Sequence, residues 1–396
     1  MNGEVAHLLL VDDERAVVEG LRKTLRAFRD RWEVHVAIGG RAALEALAAR
    51  SFDAVVSDAR MPDVDGEAVM HEASTRQPGA VRLVLSGQVD ARTGHRLANL
   101  CHQFLSKPLA GPALMAAVEE CRGLLVSLEN RALREMVGRL QGLPVAPRVY
   151  HRISSLIDDP AANLDAVAQV LETDLALVTR VLRLVNSAIF GLTRKVGTVR
   201  EAVVLLGLER VREVVLLVEL LGEGGHQPFL EALRERAVAR SRLARLLAHG
   251  SSVVDLAAES ALLAEIGAHA LALGAGDRYE PIWRIKDRQV RSEREREAFG
   301  ATFAEIGAVL LGMWGLPATV ANAARWCIET PQPGAALDAR TITAFCIALE
   351  DECMGAREPV EVDALAAQLG LTPRLGAARE LVARSLMSPS SPGAAA

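Results

Sequence analysis

Aromatic side chains are scarce in this chain of 396 residues: only 4% are Phe, Trp or Tyr, although 50% of the residues are hydrophobic. Ala, Leu and Val supply most of the apolar mass, and this composition favours helices. Cysteine is also uncommon. The five cysteines are odd in number and contain no CxxC pair, so we expect a chain whose thiols stay reduced in the cytoplasm.

A strong excess of charge is absent as well. The formal net charge is −5, which excludes a chain that binds nucleic acid through its overall charge. No run of about 18 apolar residues occurs. The first strand-like segment, "HLLLV", is not preceded by a basic stretch. We therefore expect neither a signal peptide nor a membrane span, and the length predicts two or three domains.

Short apolar runs recur through the first 125 residues and alternate with helical patterns. The runs are "HLLLV" (7–11), "EVHVA" (33–37), "AVVS" (54–57), "RLVL" (82–85) and "HQFL" (102–105). After the first run, apolar residues fall on one face of a helix: Val17, Val18, Leu21, Leu25 and Phe28. This alternation predicts an α/β fold with a doubly wound, five-stranded parallel sheet.

Polar side chains stand at the ends of these predicted strands: Asp12, Asp13, Asp58, Ser86 and Lys107. In wound sheets the working groups lie just beyond the carboxyl ends of the strands, so these residues are expected to converge. Carboxylates placed together repel unless a cation neutralises them, and oxygen ligands suit Mg²⁺. A carboxylate beside Mg²⁺, an ammonium and a hydroxyl is suited to accept a phosphoryl group.

Four segments together resemble the receiver domain of two-component response regulators: "LLLVDDE", "DAVVSDARMPDVDG", "LVLSG" and "FLSKPL", all in order within residues 5–125. The resemblance implies a flavodoxin-like fold, a cytoplasmic chain, Mg²⁺ as cofactor and a cognate histidine kinase partner that phosphorylates Asp58. It also implies that Asp13 and Asp58 bind Mg²⁺ directly, that Asp12 acts mostly through a water, and that the backbone carbonyl of Arg60 is a further ligand.

The same resemblance implies roles for residues on the last two strands. Ser86 and Lys107 would contact the phosphoryl oxygens, and Phe104 would be the aromatic residue that turns inward on activation. The Lys107-Pro108 peptide bond is expected to be cis. The receiver domain is predicted to cover residues 1–125.

A heptad-like pattern follows the receiver in "PALMAAVEECRGLLVSLENRALREMVGRL". Its apolar positions are Leu114, Val118, Cys121, Leu125, Leu128, Ala132 and Met136. This spacing is typical of a coiled-coil seam, so the last receiver helix is predicted to run as one rod through a connector, residues 126–142, and to support a homodimer. The alternative is a receiver helix followed by a separate packed helix.

The remaining chain shows helical patterns only. "LPVAPRVYHRISSLIDDPAANLDAVAQVLETDLALVTRVLRLVNSAIFGLTRKVGTVREAVVLLGLERVREVVL" (143–216) resembles the HDOD domain, a helical relative of the HD phosphohydrolases without their catalytic metal set. We predict an all-α HDOD bundle over residues 143–387 and a disordered tail over 388–396. The resemblance implies an output through an unknown protein partner.

The HD enzymes hold metals with His and Asp side chains, which donate lone pairs. At the corresponding positions this chain has Arg240, Ala264, Glu265 and Phe303, and the last position falls near Trp326-Cys327. Arg, Ala and Phe offer no ligand, so we expect no metal or other cofactor in this domain and no enzymatic activity. The leftover histidines are interpreted as surface or core-edge residues.

Two alternatives remain for the output. One is a degenerate HD-type phosphodiesterase acting on a cyclic dinucleotide. The other is a DNA-binding response regulator, because "VDALAAQLGLTPRLGAARELVARSL" (362–386) has the spacing of a helix–turn–helix. Its second helix has few polar side chains for base edges, so terminal core helices are the preferred interpretation and nucleic acid is an unlikely partner.

Overall fold

The computed structural model describes residues 5–86, 97, 100–140, 156, 163–186, 194–207, 211, 228–332 and 334–386. Two compact units are built mainly from residues 1–142 and 143–396. The first is an α/β unit with one parallel sheet, and the second is helical throughout its described part. Both predicted fold classes are confirmed.

The sheet of the first unit has the order β2-β1-β3-β4-β5, with every neighbouring pair parallel. Its strands are β1 (Ala6–Asp12), β2 (Trp32–Ile38), β3 (Ala54–Asp58), β4 (Val81–Ser86) and β5 (Gln103–Ser106). The described helices are α1 (Arg15–Leu25), α2 (Gly40–Ala49), α3 (Gly66–Arg76), α4 (Gly111–Val126) and α5 (Arg131–Arg139).

Strand β1 is apolar on both sides because helices cover both faces of the sheet. Leu8 and Leu10 join the cluster that includes α1 and α4 residues. Leu9 and Val11 point the other way and join the cluster formed with α2 and α3. The carboxyl ends of β1 and β3 are thereby held side by side at one rim, which positions Asp12 and Asp58.

The predicted single rod through the connector is wrong. Helix α4 ends at Val126, and α5 begins anew after Asn130, whose side chain accepts a hydrogen bond from Leu133 N at 3.2 Å. The predicted seam residues Leu114, Val118 and Cys121 face the sheet and lie in its core cluster. They cannot form a dimer seam, because they are already buried within their own unit. The alternative of a separate packed helix is the one observed.

The helices of the second unit follow one another without a described strand. They are α6 (Leu164–Leu171), α7 (Leu175–Val185), α8 (Pro228–Leu247), α9 (Val254–Leu263), α10 (Ile266–Ala275), α11 (Glu280–Trp283), α12 (Arg288–Phe299), α13 (Phe303–Met313), α14 (Ala318–Arg325), α15 (Ala339–Cys353), α16 (Pro359–Gln368) and α17 (Thr372–Leu386). Residues 199–207 are also helical.

Two stretches whose apolar residues keep a helical period without interruption, 255–273 and 295–313, are each broken in the structure. The first breaks at Ala264-Glu265, where Glu265 leaves helical geometry at φ −104° and ψ 26°. The second breaks at Gly300, whose φ of 85° ends α12 in the left-handed region. Apolar periodicity continues through both breaks, so it does not reveal them.

The segment Val254–Arg278 is long and apolar enough to cross a membrane, but 89% of its most apolar window is buried inside the protein. A core helix has this property. The apolar side chains of α16 and α17, such as Leu365 and Leu375, join a core cluster with Leu247 and Phe345. The last helices are therefore part of the helical core, and the predicted tail over 388–396 lies outside the described residues.

Candidate functional site

Two carboxylates and one ammonium meet at the carboxyl ends of the sheet in the first unit. Lys107 Nζ lies 2.6 Å from Asp12 Oδ2 and also pairs with Asp58 Oδ1. Asp12 is 2% exposed and Asp58 is 8% exposed. The order of the strands places these groups together, since Asp12 ends β1, Asp58 ends β3 and Lys107 follows β5.

The ammonium of Lys107 is stabilised by this arrangement. Burial acts to lower the pKa of Lys107, but hydrogen bonds and charge from Asp12 and Asp58 outweigh burial, and the net pKa is raised. The cation therefore stays charged and holds the two carboxylates in place. The carboxylate oxygens of Asp12 and Asp58 are ligand atoms of the kind that fits Mg²⁺.

The loop after β3 is shaped around Asp58. The N–H of Arg60 donates to Asp58 Oδ2 at 2.8 Å, so the backbone itself orients the carboxylate. Asp65 caps α3 by accepting from Ala68 N at 3.0 Å. A Cβ on Gly66 would lie 2.2 Å from the carbonyl oxygen of Asp58, so only glycine fits.

Sequence reasoning did not single out Asp65 or Gly66, although "DG" before a helix is a capping signal. The glycine lets α3 start directly against the strand that carries Asp58. The Lys107-Pro108 bond is cis, as predicted.

The other predicted residues of this site are placed as follows. Asp13 is exposed and follows Asp12 in the chain. Ser86 ends β4, next to Ser106 of β5, but its side chain lies outside the described part of the protein. Phe104 is buried, 8% exposed, in the cluster with Leu97 and Met61. It therefore occupies an inward position.

In the second unit, the first position predicted to correspond to an HD metal ligand holds a guanidinium. Arg240 of α8 is fully buried, and its Nη2 lies 2.5 Å from Glu265 Oε2. Its Nε donates to Glu350 Oε1 of α15 at 2.8 Å, and its Nη2 lies 2.9 Å from Glu350 Oε2. The guanidinium thus forms a bidentate pair with both oxygens of Glu350, which is the strongest geometry for an arginine–carboxylate pair.

More ions extend this cluster, which we call the arginine network. Three arginines face three carboxylates: Arg236, Arg240, Arg288, Glu265, Glu350 and Asp351. Burial alone would raise the pKa of Glu265, but the surrounding arginines, Arg240 first, hold it well below its usual range. The balance of charges explains how so many ions stay buried.

Two other positions of that predicted set, Phe303 and Cys327, are also buried. Phe303 packs edge-on against Trp283, with ring centroids 5.6 Å apart. Arg291 lies over the same Trp283 ring at 4.2 Å. Cys327 is buried, and burial raises the pKa of its thiol to about 12, so the thiolate needed for metal ligation is disfavoured. These two side chains therefore offer no ligand atom that fits a metal ion.

Sequence reasoning found Arg240 and Glu265 but missed their partners. Glu350, Asp351 and Arg288 come from distant helices, and Glu350 is 110 residues from Arg240. The only signal was the set of charges in "LEDEC" at the end of an otherwise apolar helix.

Family models match both parts of the chain. The response regulator receiver domain matches residues 8–119, and the HDOD domain matches residues 143–329. A solved structure, the MmoQ response regulator from Methylococcus capsulatus, is 26% identical with a TM-score of 0.51 and covers 60% of this chain and 98% of its own.

Curated relatives match over part of their length. A response regulator receiver protein from Anaeromyxobacter is 37% identical over 109 residues, 27% of this chain and 44% of the relative. An uncharacterised protein from Treponema pallidum is 26% identical over 204 residues, 49% of this chain and 39% of the relative. The chain thus spans less than half of the length of these relatives.

With the acidic rim and the helical unit in place, these matches define a class. The chain belongs to the two-component response regulators that join a receiver domain to an HDOD domain.

Proposed function

We propose that this cytoplasmic response regulator receives a phosphoryl group on Asp58 from a histidine kinase. The contact of Lys107 with both Asp12 and Asp58 is the observation that carries the proposal. Asp12, Asp13, Asp58 and the carbonyl of Arg60 would hold Mg²⁺, which supplies positive charge to balance the carboxylates and the transferred oxygens.

The chain's own residues perform the remaining work. An oxygen of Asp58 bonds to phosphorus, and the bond to the kinase imidazole breaks, so a phosphoryl group replaces one negative charge by about two. Lys107 is already placed beside Asp58 and can pair with a phosphoryl oxygen, and the Ser86 hydroxyl would donate to another. Phe104 would then be held inward.

The first test is phosphorylation of the full chain by acetyl phosphate with Mg²⁺, followed by intact mass. We expect one phosphoryl group on the wild type and none on Asp58→Ala. Lys107→Ala should slow labelling by about a hundredfold or more, since one charge contact at the transferred group is lost. Asp63→Asn is the matched control, because Asp63 is an exposed acid in the same loop with φ 64°, which Asn tolerates. Equal labelling of wild type and Asp58→Ala would refute the assignment.

For the output, we propose an HDOD domain over residues 143–387 that does no chemistry and acts by binding a protein partner. The receiver would cover 1–125 and the connector 126–142. The supporting observation is the arginine network, in which the Arg240 guanidinium pairs with the carboxylates of Glu265 and Glu350. A homodimer remains part of the proposal, with a surface other than the α4 seam.

The alternative of a cyclic-dinucleotide phosphodiesterase is disfavoured by that network. It predicts turnover that requires added Mn²⁺, and a turnover assay beside an active HD phosphodiesterase distinguishes the two functions.

The DNA-binding alternative is disfavoured because Arg374, at the start of α17, donates to His249 O at 2.8 Å and to Leu247 O. Tight DNA binding that falls steeply with salt would favour it.

A further inference from the structure

A cluster of two imidazoles and a carboxylate lies on the receiver sheet, away from the carboxyl ends of the strands. His7 is near the start of β1, and Glu33 and His35 are on the neighbouring edge strand β2. The register pairs His7 with Glu33 and Leu9 with His35, so the three side chains share one face of the sheet. Among the described residues, these three side chains form a group whose ligand atoms lie close enough together to hold one metal ion.

The two imidazole nitrogens are spaced like two ligands of one tetrahedral ion, and each has a different oxygen of Glu33 beside it. His7 Nδ1 lies 3.4 Å from His35 Nε2, Glu33 Oε2 lies 3.5 Å from His7 Nδ1, and Glu33 Oε1 lies 3.1 Å from His35 Nε2. Ligands bound to zinc at 2.0–2.1 Å in a tetrahedron are separated by roughly 3.3–3.4 Å. The two imidazoles therefore need little movement to bind one ion, and Glu33 would supply one of its two oxygens.

We propose that His7, Glu33 and His35 form a binding site for a divalent transition metal, with Zn²⁺ as the ion best matched to two imidazoles and a carboxylate. A water would complete the tetrahedron on the exposed side, since Glu33 is 55% exposed. The ion would tie β1 to the edge strand β2.

Arg50 is the competitor for this site. Its Nη2 lies 3.2 Å from His7 Nδ1 and its Nη1 lies 3.2 Å from His35 Nδ1. These contacts hold both rings in place. Because the Arg50 side chain is 40% exposed, it can swing into solvent when a metal takes the His7 lone pair.

The neighbouring groups also favour this geometry. Asp53 Oδ2 accepts from the backbone N–H of His7 at 2.9 Å and so fixes the start of β1. The ring of His35 packs edge-on against Phe52, with centroids 5.5 Å apart, which limits its rotation. Pre-set ligands of this kind lose little freedom on binding.

The test is Zn²⁺ titration of the full chain by calorimetry, in a Cys353→Ser background with excess Mg²⁺. The substitution removes the exposed thiol, and Mg²⁺ occupies the acidic rim. We expect one saturable site in the micromolar range. The double variant His7→Ala/His35→Ala should lose it, and Glu33→Gln should weaken it by on the order of tenfold. His71→Ala is the matched control, an exposed histidine of the same unit that should leave binding unchanged.

Arg50→Ala provides a test that keeps all three ligands. Removal of the competing guanidinium should tighten Zn²⁺ binding by on the order of tenfold. The proposal is overturned if the Cys353→Ser chain shows no saturable Zn²⁺ site, if the double variant binds as the parent does, or if Arg50→Ala binds no more tightly.

Discussion

In each unit of this protein, a cation lies between two carboxylates. Lys107 bridges Asp12 and Asp58, and Arg240 bridges Glu265 and Glu350. The two differ in exposure: the Lys107 side chain is 27% exposed, whereas that of Arg240 is 0% exposed. We infer that Lys107 can exchange partners when a phosphoryl group arrives, while Arg240 is a permanent internal counter-ion.

Removal of the Arg240 charge should destabilise the helical unit. Arg240→Met leaves Glu265 and Glu350 with fewer partners in a dry core, and loss of one member of a buried pair costs about 3–5 kcal/mol. Urea unfolding followed by circular dichroism measures the change. Arg242→Ala, exposed on the same helix α8, is the control and should change stability by less than about 0.5 kcal/mol. Equal effects of the two substitutions would contradict a structural role for the network.

Glu259 should make the helical unit less stable as pH rises. Burial, followed by the charge of Glu172, raises the pKa of Glu259 to about 8, against about 4.3 in an unfolded chain. The folded state therefore holds a proton that the unfolded state has released. This stabilisation is complete below the unfolded pKa and is lost between about pH 4.3 and 8, at up to about 1.4 kcal/mol per pH unit.

The measurement for Glu259 is the urea midpoint of wild type and Glu259→Gln from pH 5 to 8. Glutamine still accepts the hydrogen bond that Val199 N donates at 3.0 Å, but it does not titrate. The urea midpoint of Glu259→Gln should rise relative to that of the wild type as pH rises. A constant difference across this range would show that Glu259 does not titrate as proposed.

At the scale of elements, short breaks between helices determine which surface each apolar helix face packs against. Helix α4 stops at Val126, and α5 turns back to pack on the receiver, where Arg82 Nη2 donates to Gly138 O at 2.6 Å. This docking holds the chain beyond α4 against its own unit. A signal carried by α5 would therefore require these contacts to change.

Gly138 permits that close packing. A Cβ there would lie 1.8 Å from the carbonyl oxygen of Pro78, so Gly138→Ala should push α5 away and cost about 1–3 kcal/mol. Hydrogen exchange over residues 131–139 should rise. Gly123→Ala in α4 is the paired control, because nothing lies within 4 Å of its Cβ position. It should stabilise the chain by about 0.5–1 kcal/mol through helix propensity alone. Unchanged exchange in Gly138→Ala would refute the packing argument.

At the scale of the whole molecule, a receiver unit, whose acidic rim we propose as the phosphorylation site, is joined in one chain to a helical unit with a buried ionic network. The net charge of −5 gives the protein no general attraction to nucleic acid. A change in protein contacts is therefore the output that agrees best with both units.

We expect phosphorylation to change which proteins the chain captures. Tagged wild type and Asp58→Ala are compared in pull-downs with and without acetyl phosphate, with partners identified by mass spectrometry. A partner whose capture changes with the phosphodonor for wild type alone is the expected result. Asp63→Asn should behave as wild type. If every captured protein is shared by all four conditions, the receiver does not control this output.

Much of the first unit was predictable from the sequence because its signals are local. Each strand is a short apolar run, and Asp12, Asp58 and Lys107 stand directly at strand ends, which a parallel sheet must bring to one rim. The prediction that Ala264 and Phe303 cannot bind a metal also needed no tertiary structure. A side chain without a lone pair cannot bind a metal wherever it lies.

Other features were decided by tertiary structure. The partners of Arg240, the break between α4 and α5, and the meeting of His7 with His35 all depend on which elements pack together. Periodicity shows that a face is apolar, but Leu114 and Val118 would look the same against a sheet or a second chain. Only the folding of the whole chain determines which element buries an apolar face and which distant charges meet in the core.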